Sequence, residues 1–490
     1  MQLKQLPINK ITVCGPVYVP KHVLKRGDEE LVRKELTVES RYGGAPVYAF
    51  QETPDWFILP RFWFGRRLGA KYRPLIINRD PKIVPRKWTF RGELRRHQSH
   101  PALGCIATTQ LADEILNHKG VFAEGPCGSG KTVSAIYAIA QLGMRTIIIT
   151  PNEEVRKQWL AALKRFLPGV RVTVYGGPKA KKRRDLTGDV VVASLQLMSM
   201  LPEPLTEGFG LYVMDECHMA AAPMYQKAMF NVPYRYALAL SATGDRFDGM
   251  DKLFRNCLST KTVKLDTDQM MITCIFKPFE HDTVEKRRLE RLVPMNIDRA
   301  LAPIQRRNIK LIEYVQAAYH NKRKILVLGK DLPQLRILRD VFAVMEPDAL
   351  TSVMAGEITR NGKKVDELAR STAQRVQDEL HKNDPDAVVF ATYKMLGTGY
   401  DAPEKDTLIC ATSVLDCRQA IGRVQRRLKG KPLPIALFLI DNLKQLRNRV
   451  KGTYYSALAP LGKKRCKVVN ECAYLREALK GSNIRHAIVA

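Results

Sequence analysis

Apolar residues in this chain fall in short unbroken runs, separated by stretches in which they recur every three or four positions. Thr146–Thr150, Val190–Ser194 and Leu211–Met214 are runs of strand length, and Glu153–Phe166 between the first two carries helical spacing. Continuous apolar strands alternating with helices predict a parallel sheet buried on both faces. Further helices are predicted at Leu111–Leu116 and Val133–Gln141. The alternation resumes after about residue 270, with a helix over Asn308–Ala318 and strands over Lys324–Gly329, Ala387–Thr392 and Ile435–Ile440. Between these, Ala355–Pro385 is dense in charge and predicts a helical connection.

The first ninety residues read differently. Short extended runs at Val47–Phe50 and Trp56–Leu59, bounded by turn residues, predict a small β-rich or mixed module. Within it, Arg61–Arg67 interleaves Phe62, Trp63 and Phe64 with arginines. That pattern suits either base stacking with phosphate contact or a packed aromatic cluster with a solvated rim. The expected class is therefore α/β: two tandem parallel-sheet domains, at 91–268 and 269–455. An accessory module at 1–90, a candidate DNA-binding domain, precedes them, and a basic tail at 456–490 comes after. With Tyr454, Tyr455 and Lys463–Arg465, the region from Lys444 onward suits a nucleic-acid contact or a C-terminal helix equally.

Charge changes this picture most. Among 490 residues, 80 Lys and Arg oppose 49 Asp and Glu, a formal +31, which points to a polyanionic partner, nucleic acid before others. A basic solvated surface is the plainer alternative. No apolar run is long enough to span a bilayer, and no secretory signal core opens the chain, so a cytoplasmic protein without membrane partners is expected. The ten cysteines show no Cys-x-x-Cys pair or zinc-ligand spacing, and read as free thiols. Two of them, Cys127 and Cys217, lie inside chemical motifs, which predicts sensitivity to thiol reagents.

The chemistry begins at Gly125-Pro126-Cys127-Gly128-Ser129-Gly130-Lys131-Thr132, a phosphate-loop pattern. Gly125, Gly128 and Gly130 let the backbone curl so that N–H groups, Ser129's included, point at a polyphosphate. Lys131 can reach the β- and γ-phosphates, and the Thr132 hydroxyl can ligate Mg²⁺. The next helix adds its positive N-terminal end. Downstream, Asp215-Glu216-Cys217-His218 closes an apolar strand, at the edge where open parallel sheets bind ligands. Asp215 can hold Mg²⁺ through water, and Glu216 can deprotonate an attacking water. Leu240-Ser241-Ala242-Thr243 ends a further strand, its hydroxyls suited to relaying hydrogen bonds. The second array has no phosphate loop. It offers a tight turn, Gly397–Pro403, and a predicted helix from Gln419 in which Arg423 and Arg426, three apart, would share a face and point at one anion.

Taken in order, the Gln98 segment, GPCGSGKT, Thr150-Pro151 with Gln158-Trp159, Ala193-Ser194, DECH, LSAT, the Gly399-Asp401-Pro403 turn and QAIGRVQR resemble a superfamily 2 helicase. The resemblance covers 91 to about 455, and its DExH form is similar to DNA-dependent members, among them phage and viral repair and branch-migration helicases of the UvsW type. It implies RecA-like domains, ATP with Mg²⁺, a DNA track in preference to RNA, and work alongside replication or recombination proteins. It further implies that Gln98 reads adenine and that Gly399 and Asp401 meet the nucleotide, Asp401 at the ribose. Arg423 and Arg426 would be arginine fingers, with His218 joining the catalytic set. Thr150, Ser194 and Thr392 would touch nucleic-acid phosphates, while Ser241 and Thr243 would couple nucleotide state to strand grip. His97 and Thr398 depart from the usual pattern. An RNA helicase, a translocase that does not separate strands, and a nucleic-acid scaffold with a vestigial ATPase are the rival readings.

Overall fold

The computed structural model describes residues 5–39, 46–126, 128–176, 185–242, 251–293, 296–354, parts of 357–381, 384–396, 402–458 and 466–473. It divides into two compact units, one ending at Thr267 and the other beginning at Asp268.

The first unit opens with a mixed five-stranded sheet: β1 (Ile11–Val13), β2 (Val17–Pro20), β3 (Gln51–Glu52), β4 (Trp56–Leu59) and β5 (Ile76–Asn78), in the order β3-β4-β2-β1-β5. Helices α1 (Arg26–Leu36) and α2 (Arg61–Arg67) flank it. The aromatic–basic stretch is thus a helix, and Phe62, Trp63 and Phe64 are 6%, 3% and 2% exposed. Their rings are core, which overturns the base-stacking alternative there. The module is welded to the neighbouring parallel-sheet domain. Buried Arg61 pairs with Asp80 at 2.6 Å and donates to the Tyr234 carbonyl, and Leu6, Tyr18 and Phe62 share one apolar cluster with Phe122 and Tyr212.

Next come α3 (Arg96–Ser99), α4 (Leu111–His118) and a seven-stranded sheet paired in parallel throughout. Its strands are β6 (Gly120–Glu124), β7 (Thr146–Thr150), β8 (Val172–Tyr175), β9 (Val190–Ser194), β10 (Phe209–Met214), β11 (Tyr234–Ser241) and β12 (Lys261–Lys264), ordered β8-β9-β7-β10-β11-β6-β12. Helices α5 (Lys131–Leu142), α6 (Glu153–Phe166), α7 (Leu195–Ser199) and α8 (Asp251–Leu258) connect them. Ile147, Ile148 and Ile149 are fully buried, as a strand covered on both faces requires. In α6, Asn152 caps the helix by accepting from the Val155 N–H, and Val155, Trp159 and Leu163 face inward at four-residue spacing.

The second unit repeats the architecture. Strands β13 (Ile272–Phe279), β14 (Ile325–Gly329), β15 (Thr351–Met354), β18 (Val388–Thr392), β19 (Thr407–Cys410), β20 (Ile435–Asp441) and β21 (Cys466–Asn470) form a parallel sheet ordered β15-β18-β14-β19-β20-β13-β21. Between β15 and β18 along the chain, β16 (Glu357–Arg360) and β17 (Lys363–Asp366) pair antiparallel as a hairpin, where charge density predicts helix. Each strand holds a single aliphatic residue, Ile358 or Val365, too little for a strand signal to stand out in the sequence. The region from Lys444 onward forms in part a packed helix, Arg447–Leu458, with Tyr454 buried, and in part strand β21, while Lys463–Arg465 lie outside the described residues. Helices α9 (Gln305–His320), α10 (Leu332–Met345), α11 (Arg418–Val424) and α12 (Arg447–Leu458) complete the frame.

Candidate nucleotide site

The carboxyl ends of β6, β10 and β11 gather most of the predicted nucleotide residues. Gly128 and Gly130 hold φ of 88° and 83°, the left-handed region in which a side chain is strained. A Cβ on Gly125 would lie 2.5 Å from Ser129 Oγ, and one on Gly130 2.6 Å from Gln98 Nε2. Gly130 caps α5, so Lys131 and Thr132 open the helix whose N–H groups face the loop. Lys131 Nζ is turned back, donating to the Gly125 carbonyl at 2.7 Å. The Gly125 N–H donates to the Ser241 carbonyl, tying the loop to β11. Cys127 lies outside the described residues.

Asp215 comes directly after β10 and is almost fully buried. Trp159 Nε1 donates to its Oδ2 at 2.7 Å, and the Glu216 N–H to its Oδ1 at 2.9 Å. Burial, then the neighbouring Glu216 carboxylate, raises Asp215 from 3.8 to about 6, opposed by the Trp159 bond and Lys131. Two adjacent carboxylates facing a lysine, one of them desolvated, form a donor set that a divalent cation would relieve. Asp215 would hold such a cation, with Thr132 at the start of α5 the predicted hydroxyl partner. Glu216 itself takes left-handed φ 47° and ψ 48°, rare for a residue with a side chain and common at functional turns. His218 Nδ1 lies 3.0 Å from Ser241 Oγ and 3.2 Å from Glu216 Oε2, joining DECH to LSAT through one imidazole. Thr243 lies outside the described residues. Cys217 is fully buried, and desolvation pushes its thiol well up. The expected thiol-reagent sensitivity therefore does not apply at that residue, because the reactive thiolate is suppressed.

Gln98 sits beside the loop, 5% exposed, with both ends of its amide engaged: Oε1 accepts from the Arg95 N–H and Nε2 donates to Ser134 Oγ. His97 Nε2 lies 3.3 Å from the Ser129 carbonyl. The pair lies against the loop at Ser129 and Gly130. Thr150 is fully buried, its hydroxyl donating to the Ala193 carbonyl, so it presents no hydroxyl at the surface. Ser194 caps α7 by accepting from the Leu197 N–H, and Thr392 ends β18; both are partly exposed.

In the second unit, α11 ends at Val424, and Arg426 lies past it in an antiparallel bridge with Gln269. The two arginines therefore do not share one helical face. The turn at Gln425 re-aims the second, because Met270 pairs with Gln425 through its N–H and its carbonyl. Gly399 and Asp401 lie outside the described residues. Two residues carry weight that sequence reading misses. Trp159 is visible there only as part of a motif, without a role. Lys431 is not marked at all; its ammonium donates to the carbonyls of Pro403, Val424 and Arg426 at 2.7, 2.7 and 3.0 Å. Burial lowers Lys431 to about 8. Only a contact map could have found either, since each partner is distant in sequence or a backbone atom.

A phosphate loop and an acidic pair with Asp215 buried at the edge of one parallel sheet, with a second such sheet later in the chain, are the features of a tandem RecA-like nucleotide-binding fold. Residues 91–246 match the family model described as "Type III restriction enzyme, res subunit". A protein of Acanthamoeba polyphaga mimivirus that carries the name of an ATP-dependent RNA helicase is 23% identical over 415 residues, 81% of this chain and 73% of that one. A like-named protein of African swine fever virus is 40% identical over 130 residues, 26% of this chain and a quarter of that one. Among solved structures, bacteriophage T4 UvsW aligns over 94% of this chain and 99% of that chain at 15% identity, with a TM-score of 0.35. These likenesses place the chain among proteins similar to superfamily 2 helicases, with the family-model match confined to residues 91–246. Among the described residues, no helix is long and apolar enough to cross a membrane.

Proposed function

We propose that this helicase-family ATPase couples hydrolysis to movement on DNA and remodels branched DNA during replication, recombination or repair. The convergence of Lys131, Asp215, Glu216 and His218 on one glycine-formed cradle carries the reading. In it, Lys131 leaves the Gly125 carbonyl for the phosphates, and the loop N–H groups bind them. Mg²⁺, held by Thr132 and Asp215, would neutralise developing phosphate charge. Glu216 takes the proton of the attacking water, and Trp159 keeps Asp215 oriented and ionised. His218 passes the state of that pair to Ser241. Arg423 and Arg426 of the second unit act as arginine fingers, and Gln98, Gly399 and Asp401 bind the nucleoside. Ser194 and Thr392, at strand ends, contact the track, with Thr150 shaping the surface from beneath.

The names of the viral relatives favour a second reading, an RNA helicase. ATPase stimulation and strand separation on forked, flapped and four-way DNA, compared with RNA duplexes, decide between the two. Stimulation by RNA alone would sink the DNA assignment, and ATPase activity indifferent to every nucleic acid would sink the motor.

A further inference from the structure

A cleft of about 840 Å³ opens between the N-terminal module and the first parallel-sheet domain, and five cations line it: Lys34, Arg66, Arg67, Lys252 and Arg255. They come from α1, α2 and α8, elements far apart in sequence. Of the two lining carboxylates, Glu35 is already occupied, accepting from Arg67 Nε at 2.8 Å and Trp63 Nε1 at 2.9 Å; Glu39 is the other. The walls are tied together. Arg66 Nη2 donates to Asn256 Oδ1 at 2.8 Å across the cleft, and Arg255 donates to Thr262 while lying over Phe122. At the cleft floor the Thr260 N–H bonds the Gly120 carbonyl, at the start of β6, whereas the phosphate loop leaves its other end. The site is therefore separate from the nucleotide cradle.

Holding this many like charges in one concavity opposes folding, and a polyanion laid in it reverses the sign of that field. The lining tryptophan, Trp63, is buried with its N–H committed, so it offers no face on which an unpaired base could stack. Cations and neutral donors without a stacking platform suit phosphates, which position a nucleic acid without reading its sequence. We propose that this cleft grips the phosphodiester backbone of a duplex arm of the substrate. The inference rests on the nucleic-acid motor reading above.

The test is Lys34→Gln/Arg66→Gln/Lys252→Gln in the full chain, which gives up the Arg66–Asn256 bond and keeps the Arg67–Glu35 pair and the Arg255–Thr262 bond. Binding of a fluorescent blunt duplex and of a single strand is measured across a salt series. Each phosphate contact contributes a slope of about −0.9 in log K against log salt, so the duplex slope should flatten by about 2 to 3. The single-strand slope and the ATPase rate without nucleic acid should not change. An unchanged duplex slope overturns the proposal. So does displacement of the duplex from the wild-type protein by millimolar inorganic phosphate, which would mark a small-anion site. If the triple variant unfolds, Lys34→Gln and Lys252→Gln singly should each flatten the slope by about 0.9. Wild-type protein that binds neither probe would sink the motor reading instead, so the two failures are distinguishable.

Discussion

The two parallel-sheet units each bury an aspartate at a strand's carboxyl end, and the two are treated in opposite ways. Asp441, the last residue of β20, receives both prongs of the fully buried Arg307 guanidinium at 2.7 Å, and His281 Nε2 lies 3.0 Å from it. Though burial alone would raise it, Arg307 holds its carboxyl below the ordinary value. Asp215, after β10, has a neutral indole and a backbone N–H as its nearest donors, and its carboxyl is raised to about 6. One charge is closed off inside the fold. The other awaits a positive partner from outside. One architecture thus leaves an acid without a bonded cation in the first unit and closes one off as a brace in the second, decided by whether a guanidinium is bonded directly to the acid.

The contrast can be broken most forcefully at the arginines. Arg426→Ala should lower the ATPase rate by about 10³ to 10⁵ if it is an arginine finger. Nucleotide binding should persist, and a wild-type rate would remove that role. Next, Asp441→Asn should cost about 3 to 5 kcal/mol, because Arg307 would be left as a buried, uncompensated charge. Asp215→Asn should abolish turnover and yet leave the nucleotide-free protein as stable or more so. Thermal unfolding of the two variants side by side checks this, and equal destabilisation would erase the distinction drawn here.

Smaller effects sharpen it. Trp159→Phe removes a hydrogen bond to a charged group, worth about 1.5 to 3 kcal/mol. It should raise Asp215 further and move the acid limb of the ATPase pH profile upward, a shift that a packing defect alone would not produce. Smallest is the pH dependence of stability. Asp215 is raised on folding, so its contribution is fully present below about 4 and is lost as pH rises through about 6. Asp441 is depressed, so its contribution is present above the ordinary 3.8 and is lost as pH falls below it. Asp441→Asn should therefore flatten the acid limb of unfolding below pH 4, and Asp215→Asn the slope between about 4 and 6.

Lys431 sharpens the picture of the second unit. Its ammonium joins the residue after the Gly397–Ala402 stretch, the end of α11 and Arg426 by three carbonyls, so it holds the backbone that carries one proposed finger. Lys431→Met should lower kcat about tenfold with KM for ATP little changed, as expected where a few tenths of an ångström at a charge-stabilising group matter.

Much of this is legible along the chain because its causes are local. Thr146–Thr150, Val190–Ser194, Trp56–Leu59 and Glu153–Phe166 carry their observed ends in the sequence, since apolar run length and turn residues set them. The phosphate loop is legible for a related reason: its chemistry is carried by backbone curl and a helix start, which consecutive residues dictate. The strand pair within Glu357–Asp366 is hidden because each strand carries one aliphatic residue amid charge, so no period shows. The aromatic stretch at Arg61–Arg67 stays ambiguous because composition cannot say which way a ring points.

What the sequence by itself determined was the order of most strands and helices, together with the expectation of a nucleotide and a polyanionic partner, all encoded in neighbouring residues and summed charge. Only the tertiary structure decided which buried acid is answered and which is left open, that Trp159 meets Asp215, and that Arg426 turns off its helix. It alone gathered Lys34, Arg66 and Lys252 around one cleft. Those outcomes depend on contacts between residues tens to hundreds of positions apart, and a burial energy set by such contacts has no signature in any short stretch of chain.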